Sequence, residues 1–137
     1  MSVFVDTSVL YAAVDAGDVG HQRAKDVIDG EQMLVCTDHV LVETMLLVTR
    51  RAGWQIAERL WHGLRGGIAR IEITTSADLE LAASIGERFA DQEFSLVDRT
   101  SFAVMHRLGI SQVASFDKDF AVYRFGVDRR KAFEIVG

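Results

Sequence analysis

The sequence predicts an α/β domain with a mainly parallel five-stranded sheet flanked by helices on both faces. Three observations point there. Short apolar runs alternate along the chain with longer amphipathic segments, the pattern of strands joined by crossover helices. Asp6 and Asp117 each lie just after a predicted strand, at the edge where an open α/β sheet places its ligands. The 137 residues contain no linker, internal repeat or low-complexity segment, so residues 1–137 are expected to form one domain with a substantial core.

Val3–Asp6 is a continuous apolar run ending in an acid, as expected of a strand buried on both faces. A helix over Thr7–Ala16 follows, and Gly17 and Gly20 bracket a turn before a second helix, His21–Asp29. Met33–Thr37 is the second strand. Asp38–Arg51 and Trp54–Arg65 read as two helices separated by Gly53, with Asp38 as the cap of the first. Gly66-Gly67 ends that pair, and Ile68–Ile73 is the third strand. Thr75 and Asp78 form a capping box at the start of a helix over Thr75–Phe89. Leu96–Leu108 is a further helix, closed by Gly109. Ile110–Ser115 supplies the fourth strand, Asp117–Tyr123 a short helix, and Ala132–Val136 the last strand.

Composition narrows the class. Hydrophobic residues make up 49% and charged residues 26%, a globular balance that excludes disorder. No apolar run approaches the roughly 20 residues that span a bilayer, so no membrane is expected. The N-terminus has neither the basic region nor the cleavage site of a signal peptide. The lone Cys36 has no disulfide partner and reads as a buried strand cysteine. Together these features favour the cytoplasm. A net charge of −5 excludes a protein that coats nucleic acid, though an acidic metal site would lower the sum by itself. Arg50-Arg51, Arg65, Arg70 and Arg129-Arg130-Lys131 read as solvated surface charges.

Four carboxylates sit where a carboxylate is awkward. Asp6 ends the first strand, Glu43 interrupts the apolar face of the third helix, Asp98 opens a helix behind Leu96-Val97, and Asp117 follows the fourth strand. Taken singly, Asp6, Asp98 and Asp117 are each equally well explained as helix caps. Glu43 resists that explanation: its neighbours at helical spacing are His39, Val40, Leu46 and Leu47, three of them apolar. Asp98 likewise has Phe102 and Met105 downstream on its face. Gathering such charges near a core costs several kcal/mol per ion without compensation. A divalent cation of the hard, oxygen-loving kind, Mg²⁺ or Mn²⁺, is the natural compensation, and such ions serve phosphate-ester hydrolysis. Other chemistry is poorly represented. The four histidines lack zinc spacing, His39 is expected to pair with Glu43 as a structural contact, and no P-loop or Gly-x-Ser-x-Gly elbow is present.

The motifs carrying these acids resemble those of PIN-domain ribonucleases. Val3-Phe4-Val5-Asp6-Thr7-Ser8-Val9-Leu10 resembles the opening motif, Glu43 the second acid, Ser95-Leu96-Val97-Asp98 the third, and Ser115-Phe116-Asp117-Lys118-Asp119-Phe120 the closing motif. Their order and spacing extend the likeness to a single PIN-like domain over essentially the whole chain. Its size and the helix pair 38–65 are most similar to the VapC-type toxins of toxin–antitoxin pairs.

The resemblance implies that Asp6 and Asp98 are the principal Mg²⁺ (or Mn²⁺) ligands, that Glu43 and Asp117 complete the metal and catalytic cluster, and that Asp119 assists through water. It casts Thr7, Ser8 and Ser115 as the groups that orient carboxylates or water. Asp117 and Asp119 are interchangeable on motif alone; Asp117 is favoured because it comes directly off the strand. A metal-dependent endoribonuclease leaving a 5′-phosphate and a 3′-hydroxyl is implied, with RNA as substrate. So are a cognate antitoxin, a homodimer, and a heterotetramer or larger assembly with the antitoxin, the apolar residues around Trp54, Leu60 and Trp61 serving the subunit contact or the core. Two rivals stand beside this reading: a phosphohydrolase on a related sheet with Asp6 as nucleophile, and a non-catalytic PIN-like binding module. The first wants a second aspartate where Ser8 stands; intact acids argue against the second.

Overall fold

Val3, Phe4 and Val5 are sealed from solvent because β1 (Ser2–Val5) lies at the centre of the sheet, with chain on both of its faces. The computed structural model describes residues 1–137. After β1 come α1 (Thr7–Val14), α2 (His21–Ile28), β2 (Met33–Thr37), α3 (Asp38–Ala52), α4 (Trp54–Arg65) and β3 (Arg70–Glu72). The second half contains α5 (Ser76–Arg88), α6 (Leu96–Leu108), β4 (Gln112–Ala114), α7 (Asp119–Val122) and β5 (Glu134–Ile135). All strands pair in parallel, in the order β3-β2-β1-β4-β5.

That order reverses direction at β1. The chain steps outward from β1 to β2 to β3, then returns to place β4 on the other side of β1. Right-handed crossovers therefore put α1–α4 over one face and α5–α7 over the other. The aromatic packing agrees: Phe120 of α7 lies 6.3 Å from Phe4 and 5.1 Å from Phe102 of α6. Phe102 also stacks flat on Tyr123, with centroids 4.2 Å apart. This buried ring sits one turn beyond Asp98 on α6, so the packing that fixes Phe102 fixes the carboxylate's height above the sheet. On the α5 side, Arg107 of α6 forks onto both Asp78 oxygens at 3.1 and 3.2 Å through Nε and reaches Glu72 at 3.2 Å. Burial alone would push the Asp78 carboxyl up, but Arg107 and the Thr75 cap together hold it below its ordinary value.

The elements follow their local signals with instructive exceptions. The Thr75/Asp78 capping box forms in both directions. Asp38 is not the cap of α3. Thr37 caps it, accepting from the Val40 amide at 3.0 Å, while Asp38 accepts from the amide and hydroxyl of Thr74 and ties the end of β3 to α3. β3 and β5 are shorter than the apolar runs that carry them. They form the two sheet edges, and Ile73 and Ile135 lie exposed beyond or within them. α7 starts at Asp119 rather than Asp117, because the Asp117 carboxylate accepts from the Asp119 amide and holds residues 117–118 in a turn. His39 bonds Thr100 Oγ1 at 2.9 Å rather than Glu43. Leu60 is buried in the core and is withdrawn from any surface contact, whereas Trp54 is 67% exposed and does not pack in the core. Trp61 is half-buried with the Arg65 guanidinium over its ring. Cys36 is fully buried, and burial pushes its thiol up to about 12, which leaves it an inert packing group.

Phe102→Ala should cost about 3–5 kcal/mol of unfolding free energy, because it opens a cavity among its aromatic neighbours Phe94, Phe120, Tyr123 and Phe133. Urea unfolding followed by circular dichroism would measure it; a loss below about 1 kcal/mol would mean that this ring does not anchor α6.

Candidate active site

The site begins with the ladder between β1 and β4. Val5 pairs with Ala114, and the Asp6 amide donates to the Ala114 carbonyl at 3.1 Å. The next residues, Asp6 and Ser115, are thus held side by side at the carboxyl ends of adjacent strands, where the strand order reverses. Asp6 precedes α1 in extended geometry, yet its side chain makes no capping bond. Oδ2 instead accepts from Ser115 Oγ at 2.9 Å and from Ser8 Oγ at 3.1 Å. Each hydroxyl spends its single proton on Asp6 and uses a lone pair on the backbone. Ser8 accepts from the Phe116 amide at 2.9 Å and Ser115 from the Asp117 amide at 3.0 Å. Two serines thereby splice the ends of β1 and β4 and present the loop that carries Asp117.

The other acids approach from α6 and that loop. Ser95 caps α6, accepting from the Asp98 amide at 3.1 Å, but no return bond links Asp98 to the Ser95 amide. The Asp98 carboxylate is thus not spent on the helix cap and is turned to other acids. One carboxylate oxygen from each of Asp98, Asp117 and Asp119 lies within 4.8 Å of the other two. Asp98 is buried, Asp119 half-buried and Asp117 exposed, so the cluster grades from the core to its mouth.

Electrostatics register the crowding. Burial raises Asp98 to about 8, with further upward pushes from Asp119, Asp6 and Asp117. Asp6 is raised to about 6, again chiefly by burial, against the opposing pull of Ser115, the Thr7 amide and Ser8. Burial and crowding thus oppose ionisation of Asp98 and Asp6, and a cation would relieve that opposition.

Glu43 stands apart from the three clustered oxygens. It is half-buried on α3 and lines a cavity of about 700 Å³ with Thr7, His39, Leu96 and Val97, residues that adjoin Asp6 and Asp98. A Thr44–Thr7 hydroxyl contact at 3.3 Å joins α3 to α1 beside it. Of the residues singled out in the sequence, Asp6, Ser8, Ser115, Asp98, Asp117 and Asp119 share one crevice. Thr7 and Glu43 border it on the α3 side. Asp119 lies among the clustered oxygens themselves. Arg23, Arg51 and Phe116 also border this crevice, through a cavity that touches Ser8 and Ser115, and no spacing in the sequence marks them.

Comparison with known proteins agrees with the geometry. The PIN domain model matches residues 3–126. The chain belongs to the PIN-domain family. Among its PIN relatives, the 23S rRNA-specific endonuclease VapC20 of Mycobacterium tuberculosis is 38% identical over 124 residues, covering 90% of this chain and 95% of the relative. Ribonuclease VapC26 of the same organism is 26% identical over 117 residues, covering 85% and 87%. The crystal structure of VapC20, described as a sarcin-ricin loop cleaving toxin, superposes with a TM-score of 0.82 at 35% identity, covering 90% of this chain and 96% of that one. FitAcB from Neisseria gonorrhoeae shares the fold, with a TM-score of 0.64 at 17% identity over 86% and 88% of the two chains.

The raised Asp98 value carries a stability consequence. Its folded-state value lies above the ordinary 3.8, so its ionisation opposes folding. The contribution is fully present below about pH 4 and is lost as pH rises towards 8. In EDTA, the melting temperature should fall over that window, and Asp98→Asn should flatten the fall and raise Tm at pH 7.5 by at least about 3 °C. Equal pH slopes for parent and variant in differential scanning calorimetry would contradict it.

Proposed function

We propose that this PIN-domain protein is a Mg²⁺- or Mn²⁺-dependent endoribonuclease that acts as the toxin of a toxin–antitoxin pair. The observation that carries the reading is the set of three carboxylate oxygens, from Asp98, Asp117 and Asp119, within 4.8 Å of one another at the sheet's switch point. The donor set fits a hard divalent cation: all oxygen, buried at its base, and too crowded to be ionised unaided. Asp98, Asp117 and Asp119 would hold the ion, with Asp6 beside them and Glu43 completing the acidic site from α3. When bound, such an ion supplies an activated water and charge stabilisation at the phosphoryl oxygens.

The chain's own contribution is positional. Ser8 and Ser115 both donate to Asp6 Oδ2, which fixes the carboxylate plane and leaves Oδ1 without a side-chain donor. Asp119 donates its amide to Asp117 Oδ1, which orients the Asp117 carboxylate and ties the two acids into one turn. The apolar side chains of Leu96 and Val97, next to Asp98, give the cavity on that flank of the acids an apolar lining. By likeness to VapC20, 23S rRNA is the first substrate to try. The exposed apolar residues Val42, Leu46 and Trp54 on α3 and α4 support binding of a protein partner, an antitoxin or a second copy of the chain. No helix is long and apolar enough to cross a membrane; a cytoplasmic location is part of the proposal.

Cleavage of ribosomal RNA by the purified chain should require Mn²⁺ or Mg²⁺ and stop in EDTA. Asp98→Asn should lower kcat by at least about 10²-fold with RNA binding retained. Metal-independent cleavage, or full activity in the variant, would overturn the assignment. Metal binding without cleavage of any RNA would favour the binding-module alternative.

A further inference from the structure

Two cavities flank the acids, and they differ in chemistry. The one on the Glu43 side is edged mainly by Val42, Leu46, Leu96 and Val97. The other, about 650 Å³, has Ser8 and Ser115 at its inner edge and two arginines, Arg23 and Arg51, on its walls. Leu47 borders both, so the cavities lie on either side of one ridge.

The arginine cavity is held in shape. The Arg23 guanidinium lies over the Phe116 ring at 5.1 Å, and its Nε donates to the Gly137 carbonyl at 2.6 Å. Both Arg23 Nη groups remain without a partner in the chain, and Arg23 is forked onto no Asp or Glu side chain. Phe116 is itself pinned, through its amide, to the Ser8 hydroxyl that holds Asp6. Gly20 closes the other side of that ring: a Cβ there would sit 2.5 Å from Phe116 Cε2, so a side chain at position 20 would displace it. Across the cavity, the Arg51 guanidinium lies over Tyr11 at 5.2 Å and has no ion pair. Two acids lie nearby: Asp18 on the cavity wall, and Asp15, whose carboxyl feels the Arg51 charge. Asp18 accepts from the Gly20 amide, and Asp15 accepts from Tyr11 Oη and the Gly17 amide.

Two guanidinium groups held over aromatic rings, neither forked onto an Asp or Glu side chain, are unusual beside a crevice of carboxylates in a chain of net charge −5. Cations placed this close to acids but not paired with them suit a ligand that brings its own negative charge to the crevice. We infer that the cavity between Arg23 and Arg51 is a subsite for an RNA backbone phosphate adjoining the one cut at the acids. The inference rests on the endoribonuclease reading for its substrate and adds where the neighbouring phosphate is gripped. A polyanion threaded over Ser8 and Ser115 is thereby held in register with Asp6, despite the unfavourable overall charge.

The test uses Arg23→Gln, Arg51→Gln, the double variant, and Arg65→Gln as a control on α4 away from both cavities. Binding of a short fluorescein-labelled oligoribonucleotide is read by anisotropy against salt, in an Asp98→Asn background with Mg²⁺, so that no cleavage is needed. The double variant should weaken binding about tenfold or more and reduce the slope of log K against log salt by about 0.7, the share of one single-strand phosphate. In the cleaving parent, KM should rise by a similar factor with kcat within about twofold. Arg23→Lys/Arg51→Lys should restore the salt slope, which a purely structural role of the arginines on Phe116 and Tyr11 would not do. An unchanged affinity and slope in the double variant, a loss matched by Arg65→Gln, or no salt-dependent RNA binding at all would overturn the subsite. Absence of cleavage by the parent would instead sink the nuclease reading, and the binding slopes would still report on the arginines.

Discussion

Mutual repulsion among buried carboxylates is the constraint around which this domain is built. The switch in strand order between β1 and β4 opens one crevice, and the chain delivers acids to it from a strand end, a helix start and a loop. Each delivery uses backbone hydrogen bonds that exist whether or not the acids are ionised. The β1–β4 ladder sets Asp6 beside Ser115, the Ser95 cap sets the first turn of α6, and an Asx turn sets Asp119 against Asp117. The fold thus imposes the proximity, and the raised Asp98 carboxyl, which keeps its proton at neutral pH, is how the protein tolerates it in the absence of a cation.

The contrast with Asp78 is informative. Asp78 is as little exposed as Asp6 and Asp98 but less deeply set in the protein, and it sits below its ordinary value because Arg107 and the Thr75 cap satisfy it. No arginine or lysine occupies the equivalent place beside Asp98. The same chain therefore treats one buried acid as structure and leaves another uncompensated. Strain kept at one place in an otherwise satisfied molecule marks a site.

Much of this was legible in the sequence, and for identifiable reasons. The strand–helix alternation, the Thr75/Asp78 box and the Gly109 stop are local signals, and they hold. Asp6 and Asp117 could be placed at the crevice because a parallel sheet sends the residues after its strands to one edge. Three-dimensional detail was less accessible. The sequence could not show that Asp38 would serve Thr74 rather than cap α3, because that contact spans 36 residues. Nor could it show that an Asx turn would bring Asp119 in with Asp117, or that Glu43 would face a cavity rather than the three clustered oxygens. Arg23, Arg51 and Phe116 carry no motif at all. Their relation to the acids arises from the packing of α1, α2 and α3 beside the ends of β1 and β4.

The most direct test of the cation requirement is calorimetric titration of Mn²⁺ into the metal-free chain at pH 7, in two buffers of different ionisation enthalpy. A crevice whose acids are protonated only for lack of a cation should bind the ion saturably and release about one proton per ion, with the release vanishing above pH 8. No saturable binding would contradict the view that a divalent cation is what these carboxylates are arranged to hold, and binding without proton release would contradict the protonation of Asp98 in the metal-free chain.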